Sequence, residues 1–129
     1  VFGAFCDKVN IPFETAMMLT SSFGGGMGRL REVCGAVSAM FIIAGLKDGY
    51  SAPETGAVKA EHYKLIQDLA EKFKQKNGTI ICRELLSLPS GPDLAVPSER
   101  NAEYYTKRPC VELVKDAAVI IENYLGSQE

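Results

Sequence analysis

The chain has 129 residues, 47% of them apolar and 23% charged, with a formal net charge of −2. This describes one ordinary globular domain, large enough to bury a core without disulfides or metals as staples. No nucleic-acid partner is expected, because the densest basic cluster, Lys72, Lys74 and Lys76, is interspersed along a polar helix face; no membrane span is expected, because the longest apolar run is about half of what one needs.

Residues 1–10 carry Val1, Phe2, Phe5, Cys6 and Val9, a stripe at offsets of three and four that predicts the end of a helix begun upstream. Pro12 suits the first turn of a second helix. That helix holds Ala16, Met17, Met18 and Leu19 and runs into Ser21 and Ser22. Four glycines in five positions, Gly24, Gly25, Gly26 and Gly28, interrupted only by Met27, end it. Such a run reaches backbone angles closed to other residues and lets another group approach the main chain. Residues 37–46 are apolar on every side apart from Ser38, which predicts a rod in the middle of the core. Lys47, Asp48 and Gly49 stop it.

A loop over 50–56 leads to an amphipathic helix over 57–76. Tyr63, Ile66, Leu69, Ala70 and Phe73 are predicted inward, Glu61, Lys64, Asp68, Lys72 and Lys76 outward, with Asn77 and Gly78 as the cap. A short helix is predicted over 83–88. Residues 89–97, with three prolines and a glycine, form the least structured stretch. Residues 98–106 read as another short helix, capped by Ser98. Pro109 opens the last helix, with Val111, Val114, Ala118, Ile121 and Leu125 as its apolar stripe. No segment sustains alternation, so the class is all-α: a single-domain bundle of about five to six helices around the buried central helix.

The four cysteines, Cys6, Cys34, Cys82 and Cys110, lie far apart with no Cys-x-x-Cys pair, so neither a zinc ribbon nor a thioredoxin motif is readable. They are too sparse for a disulfide-stapled secreted module, no secretory signal is readable, and reduced thiols in a cytoplasmic protein are the expectation. Cys34, Cys82 and Cys110 each fall at or near a helix start, where free N–H groups and the helix dipole favour the thiolate that attacks disulfides and binds metals. Cys110 has Pro109 before it and the charge of Arg108 beside it. Cys34 is at the helix start only if the helix does not already begin at Arg29. Cys6, on an apolar stripe, reads as a packing residue, which is also the commoner fate of any isolated cysteine.

The glycine run has two readings. One is a tight turn that lets helices pack closely. The other is an anion site, in which the amides of residues 25–28 face a phosphate or carboxylate beneath Arg29 or Arg31. It is neither a P-loop, lacking Gly-Lys-Ser/Thr, nor a dinucleotide fingerprint, lacking a preceding strand. His62, the only histidine, reads as a boundary residue. Met17, Met18, Met27 and Met40 read as core fillers, and Tyr104 and Tyr105 as core or interface.

Phe-Gly-Gly-Gly-Met-Gly at 23–28, Cys34-Gly35-Ala36, Gly45-Leu46-Lys47, Cys82-Arg83-Glu84-Leu85-Leu86 and Cys110 opening a final helix resemble the family of "putative redox-active proteins", with its four cysteines and Cys-Gly-Ala-x-x-Gly box. The likeness covers nearly the whole chain. Two departures stand out. Ala39 replaces the last glycine of the box, and the first family cysteine would lie just before Val1, a place that Cys6 does not match. The resemblance therefore carries over Cys34, Cys82 and Cys110. It implies a bacterial or archaeal helical bundle with cysteine-based redox chemistry. That chemistry would be electron transfer through an iron–sulfur cluster or other thiolate-bound metal, or thiol–disulfide exchange, with a redox partner that the residues do not identify. No Cys-x-x-Cys-His is present, so covalent haem is not expected. The competing expectation is a non-catalytic binding module, in which Gly24, Gly25, Gly26, Gly28 and Arg29 hold a small anion or the apolar helices form a homodimer.

Overall fold

The computed structural model describes residues 1–53, 55–89, 92–96, 99, 101 and 109–127. Among them the architecture is all-α, and the only β pairing is an isolated antiparallel bridge between Val33 and Ile81. The helix expected over 98–106, with Tyr104, Tyr105 and Arg108, lies outside the described residues.

A short helix α1, Phe2–Phe5, passes into a 3-10 turn, Cys6–Val9, which Asn10 ends in the left-handed conformation at φ 60°. Pro12 then sits at the N-cap of α2, Phe13–Thr20. Only Ala16 of α2 is buried. Met17 and Met18, expected in the core, are 41% and 77% exposed. Ala16 and Thr20 lie on one face of α2, and that narrow face is all that meets the core, so the methionines stand outside it.

Helix α3, Gly35–Asp48, is the predicted central rod. Ala36, Val37, Ser38, Ala39, Met40, Ile43 and Ala44 are buried on it. Small residues on three sides let neighbours approach closely. Helix α4, Gly56–Asn77, is capped by Thr55, whose hydroxyl accepts the Val58 amide, and it ends at Gly78 with φ 87°. It buries Leu69 and Phe73, while Tyr63, expected inward, is 54% exposed and bonds the Tyr50 hydroxyl. The single turn α5, Cys82–Leu85, starts one residue before its predicted place.

Helix α6, Cys110–Gly126, starts directly after Pro109 as expected. Its buried face is Leu113, Ala117, Ile120, Ile121, Tyr124 and Leu125. Val111 and Val114 of the predicted stripe are outside. Helices α3, α4 and α6 pack on one another in threes, and α1 packs against α3. The Tyr124 hydroxyl donates to the Asp48 carboxylate and ties the ends of α6 and α3 together. No helix is long and apolar enough to cross a membrane among the described residues.

Candidate functional site

Between α2 and α3 the backbone does something that only a glycine-rich chain can do at low cost. Gly25, Gly26, Met27, Gly28 and Arg29 follow one another at φ 68°, 68°, 68°, 63° and 67°. This is one turn of left-handed helix. Each non-glycine residue in that conformation costs about 1–2 kcal/mol, so the three glycines remove most of the strain and leave it on Met27 and Arg29. The turn closes on its own carbonyls: the Gly28 amide donates to Gly24, that of Arg31 to Gly25 and that of Glu32 to Gly26. Because Arg29 is left-handed, α3 cannot begin there, and it begins at Gly35.

The chain leaving this collar runs beside the segment entering α5. The Cys34 amide donates to the Ile80 carbonyl at 2.8 Å, the Cys82 amide to Glu32 at 2.6 Å and the Arg83 amide to Arg31 at 3.2 Å, on either side of the Val33–Ile81 bridge. In an antiparallel pairing, positions one step from the bridge turn to its opposite face. Cys34 and Cys82, one on each segment, are both such positions. Cys34 is the N-cap of α3, and Cys82 and Cys110 are the first residues of α5 and α6. All three helix starts expected from sequence are found, but α5 is a single turn, so its dipole adds little at Cys82.

The collar wraps Cys82 instead. A Cβ on Gly26 would stand 2.5 Å from the Cys82 Cβ and 2.9 Å from the Arg31 Cα. Arg31, itself left-handed at φ 61° and only 3% exposed, donates from Nη1 to the Cys82 sulfur at 3.6 Å. Its Nη2 bonds the Asp93 carboxylate at 2.9 Å, on the same oxygen that Arg29 holds at 2.9 Å. Arg29 also reaches the Val96 carbonyl, and the Asp93 amide returns a bond to the Arg29 carbonyl. Residues 93–96 are thus strapped to the collar.

Electrostatics follow from these contacts. The hydrogen bond from Arg31, then those from the Leu94 amide and Arg29, hold the Asp93 carboxyl down at about 2. Burial opposes the charge on Arg31, but its bonds to Cys82 and Asp93 outweigh burial and push the guanidinium above its ordinary value. Burial pushes the Cys34 thiol up. The amides of Ala36 and Val37 facing its sulfur work the other way, and the charges of Cys82 and Cys110 add to the rise. Cys82 and Cys110 are therefore each within electrostatic reach of Cys34. No disulfide joins them, and Cys6 packs apart in the core with its sulfur on the Gly3 carbonyl.

For a metal or cluster the fit is poor: among the described residues no three His, Cys, Asp or Glu side chains gather as ligands. Cys34, Cys82 and Cys110 do not form a ready coordination shell. Of the glycine-run residues, Gly25, Gly26 and Gly28 build the left-handed turn, Gly24 accepts its closing bond, and Arg29 is engaged by Asp93 and Val96. Sequence reasoning missed Asp93. It lies in the proline-rich stretch, and only the fold brings it to Arg31.

A family model described as "Putative redox-active protein (C_GCAxxG_C_C)" matches residues 1–124. Nothing matches among the curated proteins or among the solved structures.

Proposed function

The chain belongs to the family described as "Putative redox-active protein (C_GCAxxG_C_C)", and from that premise we propose that it works by thiol–disulfide exchange at Cys34 and Cys82, with Cys110 as a third thiol of the same site. The observation that carries this reading is the pairing of 31–34 with 80–83, which turns Cys34 and Cys82 to one face of a shared bridge. The charge of Cys82 and Cys110 at Cys34 supports the same grouping.

The co-reactant is a disulfide, R–S–S–R. A thiolate of the pair attacks one of its sulfurs, the R–S–S–R bond breaks, RS⁻ leaves and a mixed disulfide, protein–S–S–R, remains. The second cysteine gives its proton to the departing RS⁻ and attacks the first. The second RS⁻ then leaves and a Cys34–Cys82 disulfide remains. Two electrons pass from the protein to R–S–S–R, and the reverse sequence reduces the protein. Cys110, half-buried at the start of α6, would serve as the thiol that reopens the pair.

The test begins with an absorption spectrum and iron, zinc and sulfide analysis of anaerobically purified protein. Oxidised glutathione is then added and the disulfides are mapped by mass spectrometry. The expected result is a colourless protein that forms a reversible Cys34–Cys82 bond while Cys6 stays reduced. A brown protein holding iron and sulfide, bleached by Cys34→Ser, would overturn exchange in favour of a cluster.

A further inference from the structure

A guanidinium nine-tenths or more buried and shared between a thiol and a carboxylate is a costly arrangement, since each charge must lose water to enter it. Arg31 is 3% exposed, faces the Cys82 sulfur through Nη1 and Asp93 through Nη2, and leaves its Nε without a partner. It is also held left-handed, at a conformational cost, by a collar whose Gly26 leaves no room for a side chain beside Cys82.

Taking the cysteine-based reading as its starting point, we infer that Arg31 is the positioning residue that makes Cys82 the nucleophile of the pair, and that Asp93, the rival anion on the same guanidinium, restrains it. A cation within about 4–6 Å favours the charged form of the group it faces, and a nearby anion disfavours it. The charged form is the one that attacks. Among the described residues no cation acts on Cys34, and burial favours its protonated form. The Asp93 carboxyl, held at about 2, stays ionised at every working pH, so the restraint is constant rather than switched by protons. Among the described residues, the charged side chains gathered at Cys82 include Arg31, with Asp93 and Arg29 behind it.

Iodoacetamide alkylation of the full, reduced chain at pH 7, read at each cysteine by mass spectrometry, tests this. Arg31→Met is expected to slow Cys82 about tenfold, and Arg31→Lys, which keeps a cation facing the sulfur, to restore most of the rate. Asp93→Asn is expected to speed Cys82 about threefold, and to have no such effect in the Arg31→Met background. An unchanged Cys82 rate in Arg31→Met, or a slowed one in Asp93→Asn, overturns the inference. Equal acceleration by Asp93→Asn in both backgrounds means that Asp93 only covers Cys82, and overturns its restraining part. Cys6 reports the fold: loosening speeds Cys6 and Cys82 together, the opposite of the expected Arg31→Met result. Should Arg31→Met fail to fold, Asp93→Asn with Arg31→Lys decides, because charge tuning predicts a rise in the first and a near-normal rate in the second. No disulfide has to form in this experiment, so failure of Cys34 and Cys82 to cross-link would sink the exchange reading and leave the Arg31 assignment standing.

Discussion

Gly26 and Gly28 share one left-handed turn yet are held by different constraints. At Gly28, φ is 63° and the nearest neighbour of an added Cβ is the Ser22 carbonyl oxygen at 3.9 Å, so Gly28→Ala meets only the conformational penalty, about 1–2 kcal/mol. At Gly26 the same penalty is joined by a clash with the Cys82 Cβ and with the backbone of Arg31 and Glu32, none of which can swing away. Gly26→Ala should therefore cost about 3 kcal/mol or more. It should also displace Cys82 and alter its alkylation rate, whereas Gly28→Ala leaves Cys82 reactivity near normal. Urea denaturation and site-resolved alkylation of both variants check this; equal losses would mean that the approach to Cys82 is not what the collar serves. The glycines were legible in the sequence as a place of close approach. What approaches was not, because Cys82 is 51 positions from Arg31 and only the bridge at Val33 and Ile81 brings them together.

Among the elements, the central helix was readable because residues 36–44 are apolar or small nearly all round, so no choice of face was needed. Helix α6 shows the limit of the same method. It carries two overlapping apolar stripes that share Ile121 and Leu125, and periodicity alone does not say which one meets α3 and α4. The buried one includes Leu113, Ala117, Ile120 and Tyr124, and the polar tip of Tyr124 is accommodated because its hydroxyl reaches Asp48. The two faces predict different costs. Ile121→Ala, at a fully buried position, should lower stability by about 2–5 kcal/mol. Val114→Ala, on a side chain 42% exposed, should stay within about 0.5 kcal/mol of the parent. Thermal melts of the two variants separate the faces, and a larger loss at Val114 than at Ile121 would contradict the packing described. Helix starts at Cys34, Cys82 and Cys110 were legible for a local reason: Pro109, the glycine box and the Ile80-Ile81 run each mark a boundary along the chain.

For the molecule as a whole, the cysteine site sets how stability responds to pH on two sides. Asp93 has a folded value near 2 against an ordinary value of 3.8. Its stabilising contribution is complete above about 3.8 and is lost as pH falls from there towards 2. Cys34 is shifted the other way, upward from 9.0, because its buried sulfur resists ionisation. Its contribution is complete below 9 and is lost as pH climbs through the raised folded value, since the unfolded chain gives up that proton first. Arg31 is shifted upward and stays charged across this range, so it moves neither flank. From these two groups alone the expected contribution is flat between about pH 4 and 9 and declines at each end. Other carboxylates also titrate on the acid side, so the informative quantity is the difference between the parent and Asp93→Asn. That difference should be constant on the plateau and shrink below pH 4, while Cys34→Ser should flatten only the alkaline decline. If Asp93→Asn followed the parent at a fixed distance down to pH 2, Asp93 would not be bound to the folded collar in solution. If Cys34→Ser kept the alkaline decline in full, the Cys34 thiol would not be the group that sets it.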